Sequence, residues 1–336
     1  MPARPSSLPA AMWLLLATMS WSVSFPTMRA LVLLQQRTLP AAETWFIAAW
    51  CVALRFALAA VIVLIAHAPA MRRLTRSEIA QGLGLGLFGA GGLVLQMDGL
   101  AYTTASTSAF LTQCYCLMIP LWVALTTRRW PSPLVVISCL LVVVGVAVLS
   151  SVDWHTFRLG RGETETLLAS VLFTGQILWL QRPAYAGNDT NRFSVVMFLV
   201  MALSSGLAAA CSRHAPGDWL RAYATAPAWG LLGILVLFST LIGYLLMNRW
   251  QQHVSATEAG LIYCAEPVFA SATTLFLPGW FSLLAAIEYP NEVVTRHLVL
   301  GGGLVLLANM LLQLAPLLTG LRQRRGSLPQ PAADVR

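Results

Sequence analysis

With 336 residues and a net charge of +8, the chain is long enough for two soluble domains, but its composition excludes them. Apolar residues make up 57% of the chain and charged residues 10%, against about 25% charged in ordinary soluble proteins. So few charges cannot coat a soluble surface of this size, and the sequence therefore predicts an all-α integral membrane protein. The arginines stand singly or in pairs between apolar stretches, which is typical of topology signals and not of a nucleic-acid site.

Ten apolar stretches are long enough to be helices that cross a bilayer, which takes about 20 residues each. The predicted spans are 9–34, 45–68, 79–102, 106–127, 133–151, 166–180, 193–212, 226–248, 257–277 and 297–318. A polar segment at 152–165 separates two groups of five. The tail from Thr319 onward is polar and is expected to be disordered and cytoplasmic.

The placement of the arginines predicts the orientation in the membrane. If the N-terminus is cytoplasmic, most arginines outside the spans also fall on the cytoplasmic side, as the positive-inside rule requires. Both termini are therefore expected in the cytoplasm. No lysine occurs in the chain, which is typical of a GC-rich genome. We expect a multi-pass protein of the plasma membrane, namely a bacterial inner membrane.

An odd number of spans per half means that the second half enters the membrane the opposite way up. At an offset of 150 residues, A-S-T-S-A at 105–109 aligns with S-A-T-E-A at 255–259, and Cys114 aligns with Cys264. Small residues that allow close helix packing would explain each segment alone, but their shared order favours duplication. We therefore predict two inverted-topology five-helix repeats, at 9–151 and 166–318, followed by the disordered tail at 319–336.

A carboxylate, Glu266, lies close to the midpoint of the apolar stretch 254–277 and is followed by Pro267. Placing an acidic side chain at that depth costs about 2.5–3.5 kcal/mol on insertion scales. A packing role against a neighbouring helix is one interpretation, and a site facing a wet cavity is the favoured one. Because desolvation disfavours the charged form of a carboxyl, Glu266 is a candidate proton carrier.

Other side chains within the spans are candidates for a substrate or ion pathway. Arg55 is predicted either to bind an anionic substrate group through its planar fork or to form a structural ion pair or backbone tie. Asp98, near the end of its span, is expected to be an easily solvated interfacial residue. The amides and phenols could bind a substrate or tie helices together. With Glu266, the predicted pathway residues are Tyr263, Gln113, Tyr115, Gln96, Arg55 and Trp21.

Several short motifs recur at characteristic places along the chain. They are L-R-F at 54–56, Gln96 ahead of G-L-A-Y-T at 99–103, the run 105–112 leading to Pro120, S-A-T-E-A-G-L at 255–261, E-P-V-F at 266–269, and G-G-G-L at 301–304 before Ala308 and Asn309. Together they resemble the drug/metabolite transporter superfamily, in its branch with two EamA domains, over about residues 10–318. In the first half, Cys116 and Leu117 stand where Glu266 and Pro267 align, so any carboxylate function is one-sided.

The resemblance implies translocation by alternating access, with the substrate site between the halves. Family members move amino acids, other metabolites or drugs, commonly outward, and some exchange protons. We therefore expect a secondary active transporter in the lipid bilayer, an exporter of amino acids or other small metabolites or drugs. Proton coupling is a further expectation, and no cofactor, metal or nucleic acid is expected.

Two other classes of membrane protein are alternatives to a transporter. An integral-membrane enzyme would need converging nucleophiles, metal ligands or a general base, but the five histidines are scattered and no H-E-x-x-H pattern occurs. A non-transporting, lipid-handling membrane subunit would need the same helices as a transporter, so the sequence leaves it open. The substrate, the direction of transport and the oligomeric state are open as well.

Overall fold

The computed structural model describes residues 7–128, 133–149, 159–254, 259 and 262–326, which form helices and connections and contain no strand. The first eight helices are α1 (Ser7–Ser22), α2 (Ser24–Thr38), α3 (Thr44–Ala66), α4 (Ala68–Met71), α5 (Arg76–Gly99), α6 (Ala105–Thr112), α7 (Tyr115–Thr127) and α8 (Pro133–Leu149). The next eight are α9 (Arg161–Leu180), α10 (Thr190–Ala210), α11 (Asp218–Arg221), α12 (Ala226–Ile234), α13 (Leu245–Trp250), α14 (Glu266–Thr274), α15 (Leu277–Ala285) and α16 (Arg296–Gly326). A π-helix, Leu235–Tyr244, joins α12 to α13, and single 3-10 turns lie at Pro183–Tyr185 and Gln251–His253.

Four of the described helices are long and apolar enough to cross a membrane: α3, α5, α10 and the continuous helix Ala226–His253. Helices α14 and α15 meet at a 52° bend and make a fifth span if they are counted together. The predicted spans 45–68 and 79–102 agree with α3 and α5 within a few residues. The remaining predicted spans do not each appear as one long apolar helix in the described residues, so the count of ten stays a prediction.

Three of the predicted spans are broken instead of continuous. Val23 separates α1 from α2, and Gln113 and Cys114 separate α6 from α7. A turn also precedes α14, so Glu266 begins a helix, whereas the sequence predicted it near the middle of one. Pro267 accounts for this start, because proline lacks the N–H that a helix interior needs and fits the first turn.

The end of the chain also differs from the predicted boundary. Helix α16 continues to Gly326, so it includes the first residues of the segment that was predicted to be a disordered tail. Residues 327–336 lie outside the described residues, as do 150–158 between the two halves. The second copy of the small-residue repeat, at 255–259, is described only at Ala259.

Local side-chain signals define where two of the long helices begin. At α5, the Glu78 amide donates to the Thr75 hydroxyl (3.2 Å), and the Thr75 amide donates back to the Glu78 carboxylate (2.8 Å), which is a capping box. At α10, Asp189 accepts from the amides of Asn191 and Arg192, both at 3.0 Å. These caps satisfy N–H groups that have no partner within the helix.

The helices of the two halves pack against each other closely. Helix α3 packs along α10, α5 lies between α9 and α10, and α8 packs along α16. Glycines in α5 permit this approach, because a Cβ at Gly82 would lie 2.6 Å from Cβ of Val196, and one at Gly84 would lie 2.1 Å from the Trp179 ring. The glycines of α5 therefore serve helix packing.

Candidate functional site

A cavity of about 70 Å³ lies at the centre of the bundle, with room for roughly five water molecules at about 10–15 Å³ each. Both halves of the chain contribute to its wall. The lining residues are Trp21, Ser24, Phe25, Arg55, Leu93, Gln96, Thr112, Tyr115, Phe173, Gln176, Ile177, Tyr244, Met247, Tyr263 and Glu266. Among these described residues, Glu266 is the only carboxylate and Arg55 the only permanent cation.

Glu266 is buried and is held by an amide from the other half of the chain. Nε2 of Gln113 donates to Oε2 of Glu266 (3.0 Å), to the backbone oxygen of Tyr263 (2.9 Å) and to the Tyr115 hydroxyl (3.3 Å). The other oxygen of Glu266, Oε1, accepts no hydrogen bond from the described residues. Glu266 therefore presents a fixed carboxyl group with one oxygen free for a proton or a ligand.

Arg55 lies elsewhere on the cavity wall and is 2% exposed. Its Nε donates to Oγ1 of Thr240 (2.5 Å), Nη1 lies 3.8 Å from Sδ of Met28, and the guanidinium lies over the Phe56 ring at 5.2 Å. It forms no salt bridge with any carboxylate in the described part of the chain. The described residues therefore show no ion pair for Arg55, and its role in the pathway or as a structural tie stays a prediction.

An aromatic cluster forms one wall of the cavity. The ring centroid of Trp21 lies 5.8 Å from that of Tyr244 and 5.6 Å from that of Tyr263. Trp21 Nε1 donates to the Ser239 carbonyl (3.2 Å), and the Tyr263 hydroxyl donates to Gln251 Oε1 (2.9 Å). Aromatic pairs of this kind contribute about 0.5–1.5 kcal/mol each beyond the area they bury, so the cluster fixes the positions of the rings that face the cavity.

The structure brings the seven predicted pathway residues together. Six of them line the cavity, and Gln113 stands behind Glu266 and orients it. Gln96 donates to the Thr112 hydroxyl (2.8 Å), and Tyr115 lines the cavity beside it. The proximity is a geometric fact, and the role of these residues in transport stays a prediction.

Sequence reasoning missed one prominent lining residue, Tyr244. It ends the π-helix Leu235–Tyr244, and π-helical turns occur frequently at functional sites. Its ring packs against that of Trp21, with 5.8 Å between the centroids. In the sequence, Tyr244 stands in an ordinary apolar run, so composition carried no signal that it faces a cavity.

Asp98 differs from its expected role as an easily solvated residue. It is fully buried, and its carboxylate accepts a hydrogen bond from Nη2 of Arg161 (2.6 Å). The same arginine donates through Nε to Glu165 (2.7 Å) and through Nη1 to the Tyr102 hydroxyl (2.7 Å). Asp98 still lies at the end of α5, but it is not solvated as expected, because the N-terminus of α9 folds over this end of the helix. Asp98 thus joins the two halves through an ion pair.

A second, larger cavity of about 510 Å³ lies at the end of the bundle where the 286–295 connection meets α6. Glu292 from this connection accepts from the backbone amides of Ala105 (2.9 Å) and Ser106 (3.4 Å) and from the Ser106 hydroxyl. A carboxylate at a helix N-terminus is stabilising because of the helix dipole. In the same connection, outside the predicted spans, burial raises the pKa of the Tyr289 phenol, which therefore stays neutral.

These features define a multi-pass, all-helical membrane protein with a small cavity between its halves, whose largely apolar wall carries a few polar side chains. Residues 8–151 and 166–314 both match the EamA-like transporter family, and the chain belongs to that family. It is 24% identical over 237 residues to an uncharacterized transporter of Archaeoglobus fulgidus, covering 70% of each chain. A crystal structure of a protein with 15% identity superposes with a TM-score of 0.56, covering 97% of this chain and 100% of that one, and shares the fold. The family and the named relative point to a transporter rather than an enzyme.

Proposed function

We propose that this protein is a secondary active transporter that exports amino acids or other small metabolites or drugs by alternating access. The observation that carries the proposal is the central cavity, whose wall comes from both halves and contains the buried carboxyl of Glu266. A carboxylate inside a membrane bundle is costly and marks substrate or ion pathways. The family assignment agrees with this use of the cavity.

We further propose that the chain spans the membrane ten times, as two inverted five-helix repeats at 9–151 and 166–318. The breaks support this, because Gln113–Cys114 interrupts the first half and Cys264–Ala265 the second, at nearly the 150-residue offset of the sequence repeat. Gln113 donates to the carbonyl of Tyr263, the residue 150 positions later. Transporter sites commonly lie at such repeat interfaces, between discontinuous helices.

In this mechanism, Glu266 exchanges a proton as the two halves rock around the cavity. Glu266 lines the cavity and Gln113 holds one of its two oxygens, which leaves the side with the other oxygen for a proton or a ligand. The two halves would alternately expose this side to each compartment. Following the distribution of the arginines, both termini are cytoplasmic and the membrane is a bacterial inner membrane.

The test uses purified protein in liposomes that contain a trapped pH-sensitive dye. Pools of amino acids, other metabolites and cationic drugs are added to the wild type, to Glu266→Gln and to the matched control Glu43→Gln. Glu43 is a partly exposed carboxylate that pairs with the exposed Arg213, away from the cavity. We expect one pool to move protons in the wild type and in the control, and no pool to do so in Glu266→Gln.

Two outcomes would contradict the proposal at different levels. Proton movement that persists in Glu266→Gln would remove the carrier role from this residue while leaving transport intact. If no pool moves protons and no labelled compound from the pools exchanges in counterflow, the transporter function itself is contradicted, and the lipid-handling alternative gains support.

A further inference from the structure

Arg55 is a buried cation. No carboxylate of the described residues pairs with it, and only some of its N–H donors have a hydrogen-bond acceptor among them. A guanidinium carries five N–H donors, and Arg55 gives them one hydroxyl, on Thr240, and one weakly accepting sulfur, on Met28. Its remaining donors have no partner in the described residues. An ionised group in an apolar interior is strongly unfavourable unless it is paired, so this site is incomplete as it stands.

The unused donors can be reached from the cavity. Arg55 belongs to the cavity wall, and its Nη2, which has no hydrogen-bond partner among the described residues, is not completely buried. The same cavity wall includes the aromatic side chains of Phe25, Trp21 and Tyr244. The cavity therefore presents a planar, fixed fork of donors on an apolar background, which suits bidentate binding of a carboxylate or a similar oxyanion.

Arg55 and Glu266 occupy separate parts of this wall. Both line the cavity, but they form no salt bridge with each other. The two groups therefore do not satisfy each other, and a ligand can bind one without displacing the other. A small molecule that carries an anionic group finds its complement at Arg55, and Glu266 stays available for a proton or for the ligand's own amine.

We propose that Arg55 is the anion-binding residue of the central cavity and that the transported molecule is a small organic anion or zwitterion with a carboxylate or similar oxyanion. This inference rests on the proposed function, because it names the substrate class of the same site. The volume of about 70 Å³ limits the part of the molecule that is enclosed to a few heavy atoms beside the anionic group. A purely cationic substrate would meet like charge at Arg55 and is disfavoured.

The test measures binding to the full-length protein in detergent, so that it does not depend on transport. Thermal stability is followed against sodium acetate, sodium lactate, glycine and L-phenylalanine, each paired with its amide, and against sodium chloride. A ligand that binds only the folded protein raises the melting temperature in proportion to the logarithm of its concentration over Kd. We expect the carboxylate of at least one pair to stabilise the protein and its amide to bind about ten- to a hundredfold more weakly.

Variants locate the effect at Arg55. Arg55→Gln should abolish the preference for the carboxylate, Arg55→Lys should keep part of it as a point charge, and Arg213→Gln should leave it unchanged because Arg213 is exposed and remote. A merely structural arginine would lower the melting temperature in all solutions without altering the ratio between acid and amide. If Arg55→Gln does not fold, the preference in the wild type and its change in Arg55→Lys still decide the question.

Failure of this inference can be distinguished from failure of the proposed function. Equal stabilisation by acid and amide, or a carboxylate preference that persists in Arg55→Gln, would overturn the anion subsite even if the liposomes transport a cationic pool. Stabilisation by chloride as strong as that by the carboxylates would assign the site to an inorganic anion and overturn the organic substrate. Carboxylate binding at Arg55 without transport would keep the subsite and contradict the transporter.

Discussion

The hydrogen bonds of Gln113 predict that its amide contributes unusually strongly to stability. Nε2 of Gln113 serves three acceptors, and two of them, the Tyr263 carbonyl and the Glu266 carboxyl, belong to the other half of the chain. Gln113→Met keeps the length and approximate volume of the side chain but removes both N–H donors. The substitution therefore tests the hydrogen bonds and not the packing.

The expected loss follows from what each acceptor does without its donor. Tyr263 is buried, so the substitution leaves its carbonyl without a donor in the interior. An unsatisfied buried group of this kind costs about 1–3 kcal/mol. The bond to Glu266 contributes about 1.5–3 kcal/mol if the carboxyl is charged, and water in the cavity replaces part of it. We therefore expect Gln113→Met to lower the free energy of unfolding by about 2–5 kcal/mol.

The assay is unfolding in mixed detergent and SDS micelles, compared with Gln252→Met as the control. Gln252 is exposed, and its amide donates only to the carbonyl of Arg249 on the same turn, so its loss should change the free energy by less than about 0.5 kcal/mol. Combining Gln113→Met with Glu266→Met should cost less than the sum of the two, because the shared bond is counted once. A Gln113→Met protein as stable as wild type, or strict additivity, would refute the reasoning.

Two further substitutions test other contacts between the halves. Gly243→Ala should lower thermal stability and transport in liposomes, because its Cβ would lie 2.3 Å from Nε1 of Trp21 and must displace that ring. In the control Gly233→Ala, the added Cβ meets nothing within 4 Å, so both measurements should stay close to the wild type. Arg161→Met should lower the free energy of unfolding by about 1–3 kcal/mol, because Asp98 is left buried without its partner. Adding Asp98→Asn should recover stability in the same unfolding assay, and a double variant no better than the single one would contradict the ion pair.

The sequence predicted best where one physical rule controls the outcome. Helices α3 and α5 follow from uninterrupted apolar runs, and their observed bounds agree with the prediction. The predicted pathway residues meet around one cavity because polar groups are expensive in a bilayer, so most of those within spans face each other and not lipid. Arg55 and Glu266 were identifiable for this reason before any geometry was known.

The parts that escaped prediction depend on contacts between distant segments. The break at Val23 precedes Pro26 by three residues, a signal that the apolar count alone does not register, and the π-helix Leu235–Tyr244 reads as an ordinary apolar helix. Asp98 and Arg161 are 63 residues apart, and only the packing of α9 over α5 brings them together. Hydropathy measures how apolar a stretch is, and it is insensitive to how such a stretch is interrupted or paired.

Among the described residues, the cavity wall holds a single carboxyl group, that of Glu266, and the position that aligns with it in the first half is Cys116. Under the proposed mechanism, this asymmetry fixes a stoichiometry. One titratable site can load and release no more than one proton per turnover. The free energy that the pH gradient supplies to each transported molecule is therefore at most that of one proton moving down the gradient. The concentration ratio that such an exporter can sustain is bounded accordingly, and the membrane potential acts on the net charge moved per turnover, which is set by the proton together with the substrate.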